Sequence, residues 1–236
     1  MRYFMTVFSL SVASLVLLLA GVAQAGQQDA IKSCYQILGI PDKQLAPQKE
    51  IFLVIDQTTV LDEGLKASVL DNVRRNLAAG NAFTVIGFSA FIQNHYTDVI
   101  ISGRLDHPMS QVERDDTGKT RLRELDKCMN AQLGYAQKMV ADAANNTFGS
   151  PSASIAKSDV LASLQDIARS KVKASPAKEK VVLIVSDMLE NSSVTSFYAS
   201  NTVRKIDPEA ERKKATATKL DADFGGARIY ILGAGI

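Results

Sequence analysis

Two unbroken apolar runs punctuate the chain, residues 51–55 (Ile-Phe-Leu-Val-Ile) and 181–185 (Val-Val-Leu-Ile-Val). Each leads into an aspartate, Asp56 directly and Asp187 after Ser186. Runs that are apolar at every position fit strands buried on both faces, as in a parallel sheet. Between them the period changes. Leu65, Val69, Val73 and Leu77 recur every four residues before Gly80, which predicts an amphipathic helix. Residues 82–90 read as a second strand, and 97–102 as a short third strand close enough to pair antiparallel with it. A charged, proline-containing connection runs from Gly103 to Gly118. After it, Leu122, Leu125, Met129, Leu133, Ala136, Val140 and Ala143 alternate threes and fours, the spacing of a long helix. A shorter helix follows a polar loop, with Val160, Leu161, Leu164, Ile167 and Ala168 on one face and Ser158 as its expected N-cap. Asp207 and Pro208 open a surface helix, and residues 227–232 form a last strand that runs into glycines.

Upstream, Ile31, Cys34, Tyr35 and Leu38 have helical spacing, stopped by Gly39 and Pro41. Residues 26–47 are therefore expected as an N-terminal helical segment ahead of an α/β domain over 48–236. Residues 1–25 read as an export signal: Arg2, a long apolar stretch, and a small-x-small triplet ending at Ala25. The alternative is an uncleaved membrane anchor, because the apolar stretch approaches the ~20 residues that span a bilayer. Cleavage near Ala25 places the mature protein in the periplasm or outside the cell, with membrane association expected only if the segment stays.

Helices alternating with apolar strands predict a doubly wound, mostly parallel sheet flanked by helices on both faces, with one short antiparallel edge strand. Right-handed crossovers carry the sheet outward through the second and third strands, and the long crossover returns to the other side of the first. That makes 51–55 and 181–185 neighbours at the topological switch point, where such folds bind ligands.

Charge changes the picture little. The chain has 27 Lys and Arg against 25 Asp and Glu, a formal charge of +2, and loses one positive charge with Arg2. No basic stripe stands out, so nucleic acid is not an expected partner. Cys34 and Cys128 are the only cysteines. In an exported chain they suggest one disulfide, the alternative being two buried free thiols.

The chemistry gathers at the two strand ends. Asp56, Thr58 and Thr59 close the first, Ser186 and Asp187 close its neighbour, and Ser154 or Ser158 approaches from the loop before the short helix. Carboxylates and hydroxyls without His or Cys are hard oxygen donors, suited to Mg²⁺ or Ca²⁺ rather than zinc. On these residues the chain resembles a von Willebrand factor A (vWA) domain of the exported bacterial type. In that family the first strand ends in Asp-x-Ser-x-Ser, a middle loop supplies Thr, and a second Asp follows a later apolar strand. The resemblance implies a metal site of Asp56, Thr58, Ser158 and Asp187, completed by an acidic group of a protein partner. Val60 stands where the second serine is expected, so the site is a degenerate one: either a cation is held at low affinity, or the fold keeps Asp56 and Asp187 without metal, as caps on loops and helix N-termini. The resemblance also implies a further strand and helices beyond residue 236, so the domain is expected to be reduced or C-terminally incomplete. An enzymatic alternative is a haloacid dehalogenase-like phosphatase, in which Asp56 of Asp-Gln-Thr-Thr-Val is the nucleophile. It needs a lysine and a second acidic cluster, for which Lys180 and Glu190 are the nearest matches. His95 and His107 fall in polar, loop-like surroundings and are expected at the surface.

Overall fold

The computed structural model describes residues 29–235 except 44, 93, 94, 150–156 and 201, with backbone only at 90–92, 95 and 96. The expected export signal lies outside the described residues. Five strands form the main sheet in the order β3-β2-β1-β4-β7. These are β1 (Lys49–Asp56), β2 (Ala82–Ile92), β3 (His95–Arg104), β4 (Glu179–Val185) and β7 (Arg228–Leu232). β1 lies in the middle, parallel to both β2 and β4, with Ile51 opposite Phe83 on one side and Val181 on the other. β3 pairs antiparallel with β2, and β7 parallel with β4. The expected order and strand directions are those observed. β3 is longer than its apolar stretch because its pairing with β2 continues through irregularities in register after Val85 and Phe88. A two-stranded ribbon, β5 (Tyr198–Ala199) and β6 (Thr202–Val203), stands apart from the sheet.

The alternation of each central strand divides the core in two. Ile51, Leu53, Ile55, Phe83, Val85, Leu183 and Val185 face α2 (Glu63–Asn76) and α4 (Lys119–Thr147), through Val69, Val73, Ala136 and Val140. Phe52, Val54, Ile86, Phe88, Val182 and Ile184 face α5 (Val160–Ile167), through Val160, Leu164 and Ile167. Both faces of β1 are therefore sealed, as its uninterrupted apolar run requires.

The N-terminal segment departs from expectation. Among its described residues only α1 (Cys34–Ile37) is helical, capped by Ser33 and ended before Gly39, whose φ of +62° suits glycine. The residues before it act as a strap. The Ala30 N–H donates to the Ser102 carbonyl on edge strand β3 at 3.0 Å, and Ile31 enters the core. Tertiary anchoring has replaced helical hydrogen bonds. The strap is held by the disulfide from Cys34 to Cys128 of α4, across 94 residues with a Cα–Cα distance of 5.8 Å. Beside it the buried Asp106 carboxylate accepts the Cys34 N–H at 2.6 Å and the Gln132 amide at 2.9 Å. The charged connection before α4 holds a short helix, α3 (Gln111–Asp115), closed by a Ser110–Glu113 capping box. His107 is half-buried rather than a surface residue. Its ring packs on Gly80, where an added Cβ would come within 2.9 Å of Nδ1, and its Nε2 lies 3.1 Å from the Ala46 carbonyl. His95 falls on β3, and its side chain lies outside the described residues.

Loop-closure entropy for a span of this length is worth up to about 4–5 kcal/mol, and measured bridges typically give about 2–4 kcal/mol. That rivals the roughly 3–5 kcal/mol lost on truncating a large core side chain such as Phe52. Cys128→Ser is therefore expected to melt at markedly lower temperature than the native protein, by a margin similar to that of Phe52→Ala. A thiol titration of the denatured native protein should find no free thiol. Two reactive thiols per chain, or a Cys128→Ser variant that melts with the native protein, would remove the bridge from the account.

Candidate functional site

β1 delivers Asp56 to the C-terminal edge of the sheet, on the same face as Phe52 and Val54 and therefore beneath the start of α5. Its side chain is 1% exposed. A carboxylate buried so far needs hydrogen bonds to offset its lost hydration. Three separate segments supply them. From the β1–α2 loop, Thr58 donates both its N–H and its hydroxyl to Oδ1, at 2.9 and 2.6 Å. From the end of β4, the Ser186 hydroxyl donates to Oδ2 at 2.9 Å. From the turn before α5, the Ser158 hydroxyl donates to Oδ2 at 3.3 Å.

Asp187 stands beside this cluster. Burial, reinforced by the charge of Asp56, pushes its carboxyl above the usual 3.8, while the Leu189 N–H, 2.8 Å from Oδ1, acts in the opposite sense. The loop around it is tightly fixed. The Met188 N–H donates to Ser186 Oγ at 2.9 Å, and Met188 itself has a φ of +61°, uncommon for a residue with a side chain. Strain of this kind concentrates at functional sites and persists only where the surroundings enforce it. Thr59 locks the two strand ends together, its Oγ1 accepting the Asp187 N–H at 3.1 Å. The end of α4 closes on the same loop. A Cβ at Gly149 would lie 2.5 Å from the Thr59 carbonyl oxygen and 2.6 Å from that of Gln57, so no larger residue fits there without displacing backbone.

Of the residues expected to bind a cation, Asp56, Thr58 and Ser158 are in hydrogen-bonding contact, and Asp187 lies near enough for Asp56 to shift its titration. Val60 is 46% exposed, and Thr59 is engaged with the β4 loop. Ser154 lies outside the described residues. Sequence reasoning noted Ser186 only as a strand-end residue, and the structure makes it a direct partner of Asp56. Burial first, then the charges of Asp187 and Asp56, push the phenol of Tyr198 on β5 up. Among the described residues, no group of three or more His, Cys, Asp or Glu side chains is arranged to hold a metal ion. The donor set is two carboxylates with neutral hydroxyls. Hard oxygen donors of this kind suit a divalent cation, whose charge two ionised carboxylates would balance.

The mixed sheet with helices on both faces fits a vWA-like fold. No family model and no curated protein matches the chain. Among solved structures, the pilus adhesin SpaC from Lactobacillus rhamnosus GG, in its open conformation, aligns over 81% of this chain and 24% of that chain at 12% identity, with a TM-score of 0.41. A second crystal form of the same adhesin aligns over 81% and 25% at 14% identity, with a TM-score of 0.38. This chain thus spans about a quarter of the adhesin's length.

The raised pKa of Asp187 has a definite sign. The folded state binds that proton more tightly than the unfolded state does. The stabilising contribution is full below about 3.8 and is lost as pH rises through the folded value. Glu211, held at about 2 by Arg204 and its neighbours, stays ionised throughout that window. In the presence of chelator, Asp187→Asn is expected to gain on the native protein in melting temperature as pH rises from about 4 to 7. A difference of about 1 kcal/mol would read as roughly 2–4 °C. Parallel melting curves for the two proteins across that range would contradict the assignment.

Proposed function

We propose that this protein is an exported binding module of the vWA type. It engages an acidic group of a protein partner through a divalent cation held weakly at Asp56, Thr58, Ser158 and Asp187. The observation that carries the reading is the convergence of hydroxyls from three separate segments on one buried carboxylate, with a second carboxylate alongside. Hydroxyls that donate to Asp56 here have lone pairs to offer a cation after a modest rotation. Asp56 and Asp187 supply negative charge, while Thr58 and Ser158 supply neutral oxygens. Bound there, Mg²⁺ or Ca²⁺ contributes a positive charge with coordination positions open to a partner's carboxylate. The Cys34–Cys128 bridge fits an oxidising compartment. No described helix is long and apolar enough to cross a membrane.

Two further observations favour binding over phosphoryl transfer at Asp56. Lys180 lies opposite Glu50 at the far end of β4. Glu190 is 2% exposed and accepts the Leu161 N–H, so it is committed to α5.

Calorimetry with Mg²⁺, Ca²⁺ and Mn²⁺ tests the proposal. The native protein is expected to bind weakly, Asp56→Ala not at all, and Val60→Ser about 10- to 100-fold more tightly, the range that supporting ligands command. An acidic partner and the cation should each strengthen the other's binding by one common factor. Cation binding that survives Asp56→Ala would overturn the assignment.

A further inference from the structure

Ser158 belongs to the site only if the start of α5 is held against the end of β4, and α5 does not secure that start by itself. Its N-cap residue, Asp159, makes no capping side-chain hydrogen bond. The first turn of a helix presents N–H groups that need outside acceptors. The acceptor comes from the opposite limb of the site. Glu190, three residues beyond Asp187, is 2% exposed and accepts the Leu161 N–H at 2.9 Å, with the Val160 N–H and the Ser192 side chain as further donors. Burial pushes the Glu190 carboxyl above its usual value, against the hydrogen bonds to it and the helix dipole, which favour a negative charge there.

The next residue completes a clamp. Asn191 and Ser158 exchange both backbone hydrogen bonds, at 3.2 and 3.0 Å, as an isolated antiparallel bridge. The clamp is fixed from behind. The Phe197 N–H donates to the Glu190 carbonyl at 2.8 Å, and the Ser196 hydroxyl donates to Asn191 Oδ1 at 2.9 Å.

Aspartate caps many helices from the N-cap position, but Asp159 does not cap α5. A cap reaching across from the β4 loop does something a local cap does not. It ties the segment carrying Ser158 to the segment carrying Asp187. We propose that Glu190 is a positioning residue for the Asp56 site: its buried carboxylate on the first turn of α5, with the Asn191–Ser158 bridge, holds the Ser158 hydroxyl in register with Asp56 and Asp187. The inference rests on the binding-module reading above and adds to it the element that keeps the two limbs of the site together.

Mn²⁺ calorimetry on Glu190→Ala, Glu190→Gln and Leu164→Ala provides the test. Glu190→Gln keeps an oxygen for the Leu161 N–H and should stay close to native affinity. Glu190→Ala should bind Mn²⁺ about 10- to 100-fold more weakly. Leu164→Ala loosens α5 through lost packing but leaves the clamp in place, so its melting temperature should fall while its Mn²⁺ affinity stays near native. A loss of affinity in Leu164→Ala as large as in Glu190→Ala would mean that helix stability alone governs the site, and the proposal would fall. If the native protein binds no Mn²⁺, the cation reading fails by itself, and hydrogen exchange still decides on Glu190. The Ser158 and Asn191 amides should then be protected in the native protein and exchange at least 10-fold faster in Glu190→Ala. Equal protection in the two would overturn the clamp.

Discussion

The burial of the Asp56 carboxylate constrains the structure more than any other single interaction. An ionised group in the interior is costly unless several donors meet it, and here the donors come from Thr58, Ser158 and Ser186. No short peptide brings those three residues together. Ser186 reaches Asp56 only because β4 lies beside β1 with Val185 opposite Ile55. Ser158 reaches it only because α5 packs on the Phe52 and Val54 face. Strand order, the side on which α5 lies, and the length of the β1–α2 loop are thus bound up with one buried charge. Removing a donor leaves that charge under-satisfied, which is more damaging than losing an ordinary surface hydrogen bond.

Much of this was legible in the amino-acid sequence, for identifiable reasons. Continuous apolar runs at 51–55 and 181–185 mark strands covered on both faces, and handedness rules place them side by side. The aspartates that follow are then neighbours by topology. Periodicity found α2, α4 and α5 because each packs one apolar stripe on the sheet. The misses share a different cause. The expected N-terminal helix is shortened to α1 and preceded by a strap, because that segment is held by β3, the disulfide and Asp106, none of which local spacing reveals. Ser158 was expected to cap α5, but it bonds Asp56 while Glu190 takes the capping role from 29 residues downstream. A side chain that acts across the fold leaves no periodic signal. On the helix expected at the surface, Glu211 is joined to Arg204 and Thr195 and fastens α6 (Pro208–Ala217) to the preceding loop.

Backbone proximity is the other part that sequence alone did not disclose. Gly149 and Gly87 both lie against the β1–α2 loop, the first on the carbonyls of Gln57 and Thr59, the second on the side chains of Thr147 and Gln57. The loop that presents Thr58 is therefore confined by main chain as well as by hydrogen bonds. Such confinement reduces the ordering needed when a ligand arrives.

The clasp between Cys34 and Cys128 also bears on the order in which the chain takes shape. Both cysteines precede β4, whose Val181 enters the sheet beside Ile51 across 130 residues of chain. A chain delivered N-terminus first into an oxidising compartment brings the strap, β1, β2, β3 and α4 there before β4. Covalent closure can thus precede completion of the sheet. In that interval one edge of β1 lies open, and an unpaired apolar edge invites pairing with other chains. The last strands to arrive, and the hydroxyls that come with them, end that exposure and finish the environment of Asp56 in the same step.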